Sequence, residues 1–444
     1  MSTLEVSIIE GINAQPVSFP HGILIGKGSR AGVGDIGVPG QAGFGKSVFG
    51  GVLELGRQPL PGYNDPLSAN YGDYILPDGS IQGCVAVHYT KYGTGTNGLA
   101  LNRTDTKPFS YFNSVAEANA QGYFVPRAFY NAGAIQPYVW RDKYLPSNNN
   151  GVASSLKNGK PLSSAADHNP FSGLNGSPAN AYYGAIAAAK TRGSSFFPST
   201  LFIEHMLHDL QVAHGQAATS NTFCAWYDPA GVTNFPKGCN NNALGDVNDA
   251  LIRYESDGYS NCGKTGSANL FARTTHNGQA CGFPDVNGLM WRISPGITSD
   301  GTNFYIMKTS VDMAAVTAGN TLATDLWGAA GIAAMYDSLG PTYEALTASN
   351  SNKVMGNATN PVFSGATSGL AWAAAGAGIP LATGVGGSNL YGNDYFYDAR
   401  PNELCPIVAA DWNDGSNAGP GARDFTLVRG ASNYNVSFVC ASYR

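Results

Sequence analysis

Charged residues are scarce in this chain. Asp, Glu, Lys and Arg make up 12% of its 444 residues, against about 25% in an average soluble domain. The 25 Lys and Arg form no run, and the formal net charge is −5. Proteins that grip polyanions carry a basic stripe, so no nucleic-acid partner is expected. Several catalytic patterns are also missing. There is no Cys-x-x-Cys pair, which removes zinc-ribbon and thioredoxin-type chemistry. GxSxG, HExxH and HxxEH are absent as well, which removes the nucleophile elbow and the usual zinc-protease helices. The opening residues, Met1 to Gly11, have no basic segment and no long apolar segment, so no secretory signal is read there. Residues 369–387 are uncharged, but they are mostly Ala and Gly with Pro380 inside. That is weakly apolar for the roughly 20 residues a membrane span needs, and no span is expected. Disorder is excluded by the 11% aromatic content.

What is abundant is glycine, 57 residues, alongside much Asn and Ser. This composition describes loop-rich structure with polar, uncharged surfaces. The 43% hydrophobic content is ample for a core, and the length fits two or three domains, or one large domain with a smaller partner. Seven cysteines occur, four of them between Cys224 and Cys281 in a Gly/Asn-rich stretch. Disulfides there would staple long loops, and an odd count leaves one thiol free if all pairs are internal. A secreted chain and one with buried reduced thiols both fit this pattern.

Residues 1–129 carry short apolar runs, such as Gly22 to Gly26 and Gly51 to Leu55, broken by turn signals; they read as a β-rich N-terminal domain for attachment or assembly. Strands are expected at Pro137 to Tyr144, Leu289 to Ile293, Asn303 to Met307, Asp424 to Arg429 and Asn435 to Cys440. The two best helices are Ala179 to Arg192 and Phe197 to His214, the second opened by a Pro198-Ser199-Thr200 cap. The fold class is α+β: a twisted antiparallel sheet with two helices and many loops. The second domain is expected over residues 130–444.

Three motifs need weighing. Gly40-Gln-Ala-Gly-Phe-Gly-Lys46-Ser47 matches the phosphate-loop pattern letter for letter. That chemistry needs a buried strand before the loop and a helix after it. Glycines and a proline precede it and Gly50-Gly51 follows, so a glycine-rich structural loop is expected. His205 and His208 stand one helical turn apart beside Glu204 and Asp209. The spacing could ligate a metal, but the apolar neighbours favour helix packing. Trp412-Asn413-Asp414 matches the calcium-lectin triplet, in which Asn and Asp oxygens bind the ion. The nearest upstream counterpart, Arg400-Pro401-Asn402, puts a cation where a ligating carboxylate belongs.

Three segments together resemble the C-type-lectin-like domains of diversity-generating retroelement variable proteins, which are relatives in fold of the formylglycine-generating enzymes. Pro137 to Tyr144 is similar to the family's opening strand. Asn287-Gly-Leu-Met-Trp291-Arg, after Asp285, is similar to its core strand. Trp412 to Gly419, with Arg423-Asp-Phe425 and Val436 to Val439, is similar to its C-terminal signature. The resemblance covers roughly residues 130 to 444, with an insertion around 315–395 and a variable region around 406–444. It implies a non-enzymatic protein that binds a protein or glycan ligand on a host cell surface. The setting would be a phage or virus tail, or alternatively a cell surface; a homo-oligomer within a virion is compatible. No cofactor and no metal is implied. In such proteins mutated Asn codons cannot become Lys, Glu, Gln, Met or Trp. Residues 406–444 contain none of the first four, and Trp412 must then be a fixed core residue. The oxidase branch needs paired reactive cysteines, and Cys440 has only Cys405 across the segment. A calcium-dependent lectin and a formylglycine-type oxidase are the alternatives.

Side chains alternate faces along a strand, so core and ligand-facing residues should interleave. Phe425, Val436 and Phe438 are expected inward. Asp411, Asn413, Asp414, Asp424, Thr426, Leu427, Ala431, Asn433, Tyr434 and Asn435 are the expected ligand-binding residues, with Tyr434 the anchor.

Overall fold

A computed structural model describes residues 34–93, 104–229, 238–317, 332–355, 362–383 and 394–444, together with the short strand pair Leu24–Ile25 and Ser29–Arg30. The fold is mixed and sheet-rich with few helices. Two six-stranded sheets organise it. The first runs in the order Phe197–Pro198, Cys440–Ser442, Tyr138–Asp142, Ile81–Ala86, Asp73–Ile75, Gln58–Pro59, with every neighbouring pair antiparallel. The second runs Ser351–Val354, Tyr395–Asp398, Arg423–Asp424, Ile407–Val408, Trp291–Ile293, Val436–Phe438. It is mixed rather than antiparallel as expected. Val436–Phe438 lies parallel to Trp291–Ile293, and Arg423–Asp424 parallel to Tyr395–Asp398. The partners are far apart in sequence, so long crossovers join them and no hairpin imposes antiparallel pairing.

Val436–Phe438 and Cys440–Ser442 are separated only by Val439, so the chain steps from the second sheet into the first within one residue. The pairing of the C-terminal segment with the strand of Trp291 is as expected. Residues on either side of the expected 129/130 boundary share the first sheet: Ile81–Ala86 pairs with Tyr138–Asp142 over five residue pairs.

Tyr138–Asp142 sits at the centre of that sheet, and Val139 to Asp142 are all buried. On one face Trp140 meets Tyr74 and Phe49 edge-on, with ring centroids 4.9 and 5.4 Å apart. Its neighbour Arg141 belongs to the other face by strand alternation, where Glu204 receives it. Glu204 lies in the first turn of the helix Leu201–Ala217. This helix starts where Thr200 accepts the Ile203 N–H at 3.3 Å, the side-chain cap that satisfies an otherwise orphaned donor. It begins four residues later than expected because Phe197–Pro198 is a strand paired with Cys440 and Ala441. Leu201 to Gln216 are buried without a break, because the polar residues on one side of the helix find partners in the core, Glu204 in Arg141, His205 in Tyr92 and Gln216 in the Thr104 N–H. The other expected helix is Tyr182–Lys190.

Some expectations fail. Gly51 to Leu55 forms no strand, and Val52 is 76% exposed. The strand expected at Asp424 to Arg429 stops at Asp424, whose carboxylate accepts the Thr426 N–H (2.6 Å) and hydroxyl (2.5 Å) and so turns the chain. Gly369–Gly376 is a helix of eight residues. No described helix is long and apolar enough to cross a membrane. Residues 384–387 of the uncharged stretch, most of the Gly22 to Gly26 run, and segments 318–331, 356–361 and 384–393 of the expected insertion lie outside the described residues. All seven cysteines are buried free thiols.

The phosphate-loop look-alike is structural. Lys46 is fully buried and ion-pairs with Asp73, which also holds Lys143 at 2.6 Å. The Lys46 ammonium lies 4.4 Å from the centre of the Phe283 ring. Ser47 accepts the Ala86 N–H at 2.9 Å. The lysine and the hydroxyl that would meet phosphate and its metal are thus consumed in the core.

Candidate functional site

The candidate face is built from the loops that follow Val408 and Asp424. The strand Ile407–Val408 ends where Ala409 (φ 81°) and Ala410 (φ 157°) leave the β region. Both are fully buried, and only a small side chain fits such a conformation without a large steric cost. The reversal drops Trp412 inward, to 1% exposure, among Leu145, Ile252, Leu289, Met290 and Val439. Burial of Trp412 is as expected. Its carbonyl accepts the Asn242 N–H at 2.5 Å. Beside it, the Asp411 carboxylate accepts the Asn413 N–H at 2.6 Å and the Asn435 amide, while its own N–H donates to Asp414 at 2.7 Å. Burial raises both carboxyls, and repulsion from Asp411 raises Asp414 further. Two close carboxyls cannot both ionise freely, so the pair tends to share a proton.

Above Trp412 lies an aromatic cluster. Tyr434 is 43% exposed, with its ring 6.0 Å from Trp412 and 5.9 Å from Tyr259. Tyr259 stacks on His168 at 4.1 Å and 12°, and His168 meets Trp412 edge-on at 5.9 Å. The Tyr259 hydroxyl donates to Asp167 at 3.0 Å. The backbone beneath Tyr434 is pinned along its length. The Tyr434 carbonyl faces His168 Nδ1 at 2.6 Å. Ser164 accepts the Asn433 N–H (2.9 Å), donates its hydroxyl to the Asn433 carbonyl (3.0 Å) and donates its N–H to Val436 (2.8 Å). The Asn435 carbonyl accepts the Trp291 N–H at 3.0 Å. A fixed backbone therefore presents an aromatic ring, with an acid and amides close by. Such a surface can stack on a ligand and hydrogen-bond to it.

The ten expected residues divide by exposure. Asn413, Thr426 and Tyr434 are exposed. Asp414, Asp424, Leu427, Ala431, Asn433 and Asn435 are half-buried. Asp411 is only 2% exposed; it anchors Asn413 and Asn435 rather than facing outward. Thr426 borders a separate open groove of about 410 Å³, shared with Asn350 and Arg400. Arg400 donates to the Pro341 carbonyl and lies 5.6 Å over the Phe304 ring. Phe425, Val436 and Phe438 are buried as expected. Sequence reasoning missed Ser164, Asp167, His168 and Tyr259. They reach the face from loops distant in sequence, 266 residues in the case of His168 and Tyr434, and no local pattern marks them.

His205 and His208 behave as packing residues with polar partners. Both are buried, and burial lowers their basicity. Tyr92 donates to Asp209 at 2.8 Å and faces His205 Nε2 at 3.2 Å, while Arg423 approaches His205 Nδ1 at 3.4 Å.

No family model matches the chain, and no curated protein matches it. Among solved structures it is similar to the Major Tropism Determinant U1 variant, with a TM-score of 0.30 and 10% identity over 82% of this chain and 63% of that one. It is similar to the M1 variant of the same determinant at a TM-score of 0.31 and 10% identity, with the same coverage. The chain thus spans less than two thirds of the length of either. Similarity at that level leaves the function to be argued from the chain's own geometry.

Proposed function

We propose that this chain is a non-catalytic receptor-binding protein of a phage or virus tail, with a C-type-lectin-like C-terminal part that displays a variable ligand-binding face. One observation carries the reading. Tyr434 holds an exposed ring over the buried Trp412 while His168 and Ser164 fix its backbone. A pre-ordered aromatic side chain offers contact area at low entropic cost. Loop side chains around such a backbone can change without disturbing the core. The thiols speak against the formylglycine-type oxidase alternative. Cys405 and Cys440 are buried and their thiols are pushed well up by burial, whereas the thiolate is the reactive form.

The test replaces Asn413, Thr426, Asn433 and Tyr434 together and leaves Asp411 intact. Binding is read on bacterial cell-surface extracts and a glycan array, and stability by thermal melting. Stability should stay close to the parent, since exposed changes usually shift it by about ±0.5 kcal/mol each and the half-buried Asn433 bonds to Ser164 through its backbone, while binding is lost or redirected. Tyr434→Ala alone should weaken binding by about 2 kcal/mol, roughly 30-fold. Unfolding of the combined variant, or binding that survives it unchanged, would reject the proposal. Binding removed by EGTA and restored by calcium but not by zinc would point instead to the calcium-dependent lectin.

A further inference from the structure

We infer that His168, Asp257 and Cys262 form a buried site for a borderline-soft divalent cation of the zinc class, placed directly beneath Tyr434. One ligand-type atom from each residue lies within 4.8 Å of the others, and all three residues are buried. The three come from two separate loops that share no secondary structure, so their convergence is a tertiary feature.

The hydrogen bonding of His168 points to the missing ligand. Its Nδ1 lies 2.6 Å from the Tyr434 carbonyl, which can only accept. Its Nε2 lies 2.7 Å from a carboxylate oxygen of Asp257. Both ring nitrogens thus face oxygen acceptors, and the Asp257 oxygen and Nε2 are both ligand atoms. With bonds of about 2.0–2.2 Å to each, a cation held by both would lie to one side of their contact, toward Cys262. An Nδ1–H donated to a backbone carbonyl is also how metal-bound histidines are commonly oriented. The other acids support this placement. The carboxylates of Asp257 and Asp411 lie close enough to the Cys262 thiol to act on it electrostatically. The His205, His208 and Asp209 cluster differs, because Arg423 already brings a positive charge to it.

Nitrogen, oxygen and sulfur donors together suit zinc better than calcium or magnesium, which prefer oxygen alone. Binding would form a metal–sulfur bond at Cys262 and release its thiol proton to solvent. Three protein ligands leave one tetrahedral position, which solvent would fill. The ion would tie the loop of Cys262 to His168, and through His168 to the backbone of Tyr434. This revises the expectation that no metal is held, and it stands whether or not Tyr434 meets a receptor.

The test uses the full chain stripped with a chelator and reloaded with zinc or cobalt. One equivalent of zinc is expected by elemental mass spectrometry. At a 100-fold excess over Kd the melting temperature should rise by about 3 °C. Cobalt should give a near-ultraviolet thiolate charge-transfer band that disappears in Cys262→Ser and persists in Cys405→Ser. His168→Gln should weaken zinc binding more than about 100-fold, beyond the usual effect of losing an outer-shell partner. If Cys262→Ser does not fold, the parent's cobalt band and its melting shift decide. Failure to bind zinc, or cobalt bound without a thiolate band, overturns the inference and leaves His168 and Asp257 as a structural contact pair. Metal loading is measured without any receptor, so its failure is separate from failure of the binding proposal.

Discussion

Trp412→Ala is expected to cost about 3–5 kcal/mol, the range for truncating a large buried aromatic. For a chain of this length that corresponds to a fall in melting temperature of about 3–5 °C. The indole is 1% exposed and packs against residues from several distant segments. The cavity left behind cannot readily collapse. The Trp412 carbonyl is held by Asn242, and Asp411 next to it is held by Asn413 and Asn435. His168, Tyr259 and Tyr434 all have rings within 6.3 Å of Trp412, so the binding face should loosen together with the core. Tyr434→Ala supplies the contrast. That side chain is 43% exposed, and its loss should weaken binding roughly 30-fold while leaving the melt almost unchanged. Equal stability losses in the two variants would mean that Trp412 is not the floor of the face.

The contrast between these two residues shows how much was legible. Trp412, Phe425, Val436 and Phe438 could be placed inward from their bulk and alternation, and the pairing with the strand of Trp291 followed. The helix from Leu201 was legible from its cap and apolar length. Strand parity failed after Asp424, because that carboxylate captures Thr426 and ends the strand. Beyond that point turns, not alternation, decide which side chains face water. Asp411 looked like a display residue because alternation set it opposite the core side chains. It is buried because Asn435, 24 residues later, supplies its amide, and no local rule reveals a partner at that separation. His168 and Tyr259 were hidden for the same reason. The phosphate-loop letters were read correctly as structural, because their flanks were wrong for a nucleotide site. The motif names residues but not the strand and helix around them, and Asp73 had already claimed Lys46.

Glu204 carries the second large effect. Arg141 Nε and a terminal nitrogen donate to its two oxygens at 2.8 and 2.9 Å. Ser199 donates at 2.6 Å, and Arg292 Nε stands 3.6 Å away. Arg141 lies on the central strand of the first sheet and Arg292 on the strand of Trp291 in the second, so one carboxylate on the central helix joins all three layers. Glu204→Ala leaves the buried Arg141 guanidinium without its bonded carboxylate and removes one of the two acids near Arg292, which is expected to cost about 3–5 kcal/mol. Burial alone would raise the Glu204 carboxyl, but Arg141 and Arg292 outweigh it and hold it at about 2, below the ordinary 4.5. For a carboxyl depressed in this way, the linked stability is complete above the unfolded value and is lost as pH falls toward the folded one. The parent's melting temperature should therefore fall between pH 4.5 and 2, and Glu204→Gln should lose less over the same interval because its penalty is already present at neutral pH. Thermal melts across that interval check both statements. Identical pH profiles for the parent and Glu204→Gln would show that another carboxyl governs the acid limb, and that the two sheets are joined by packing rather than by this charge.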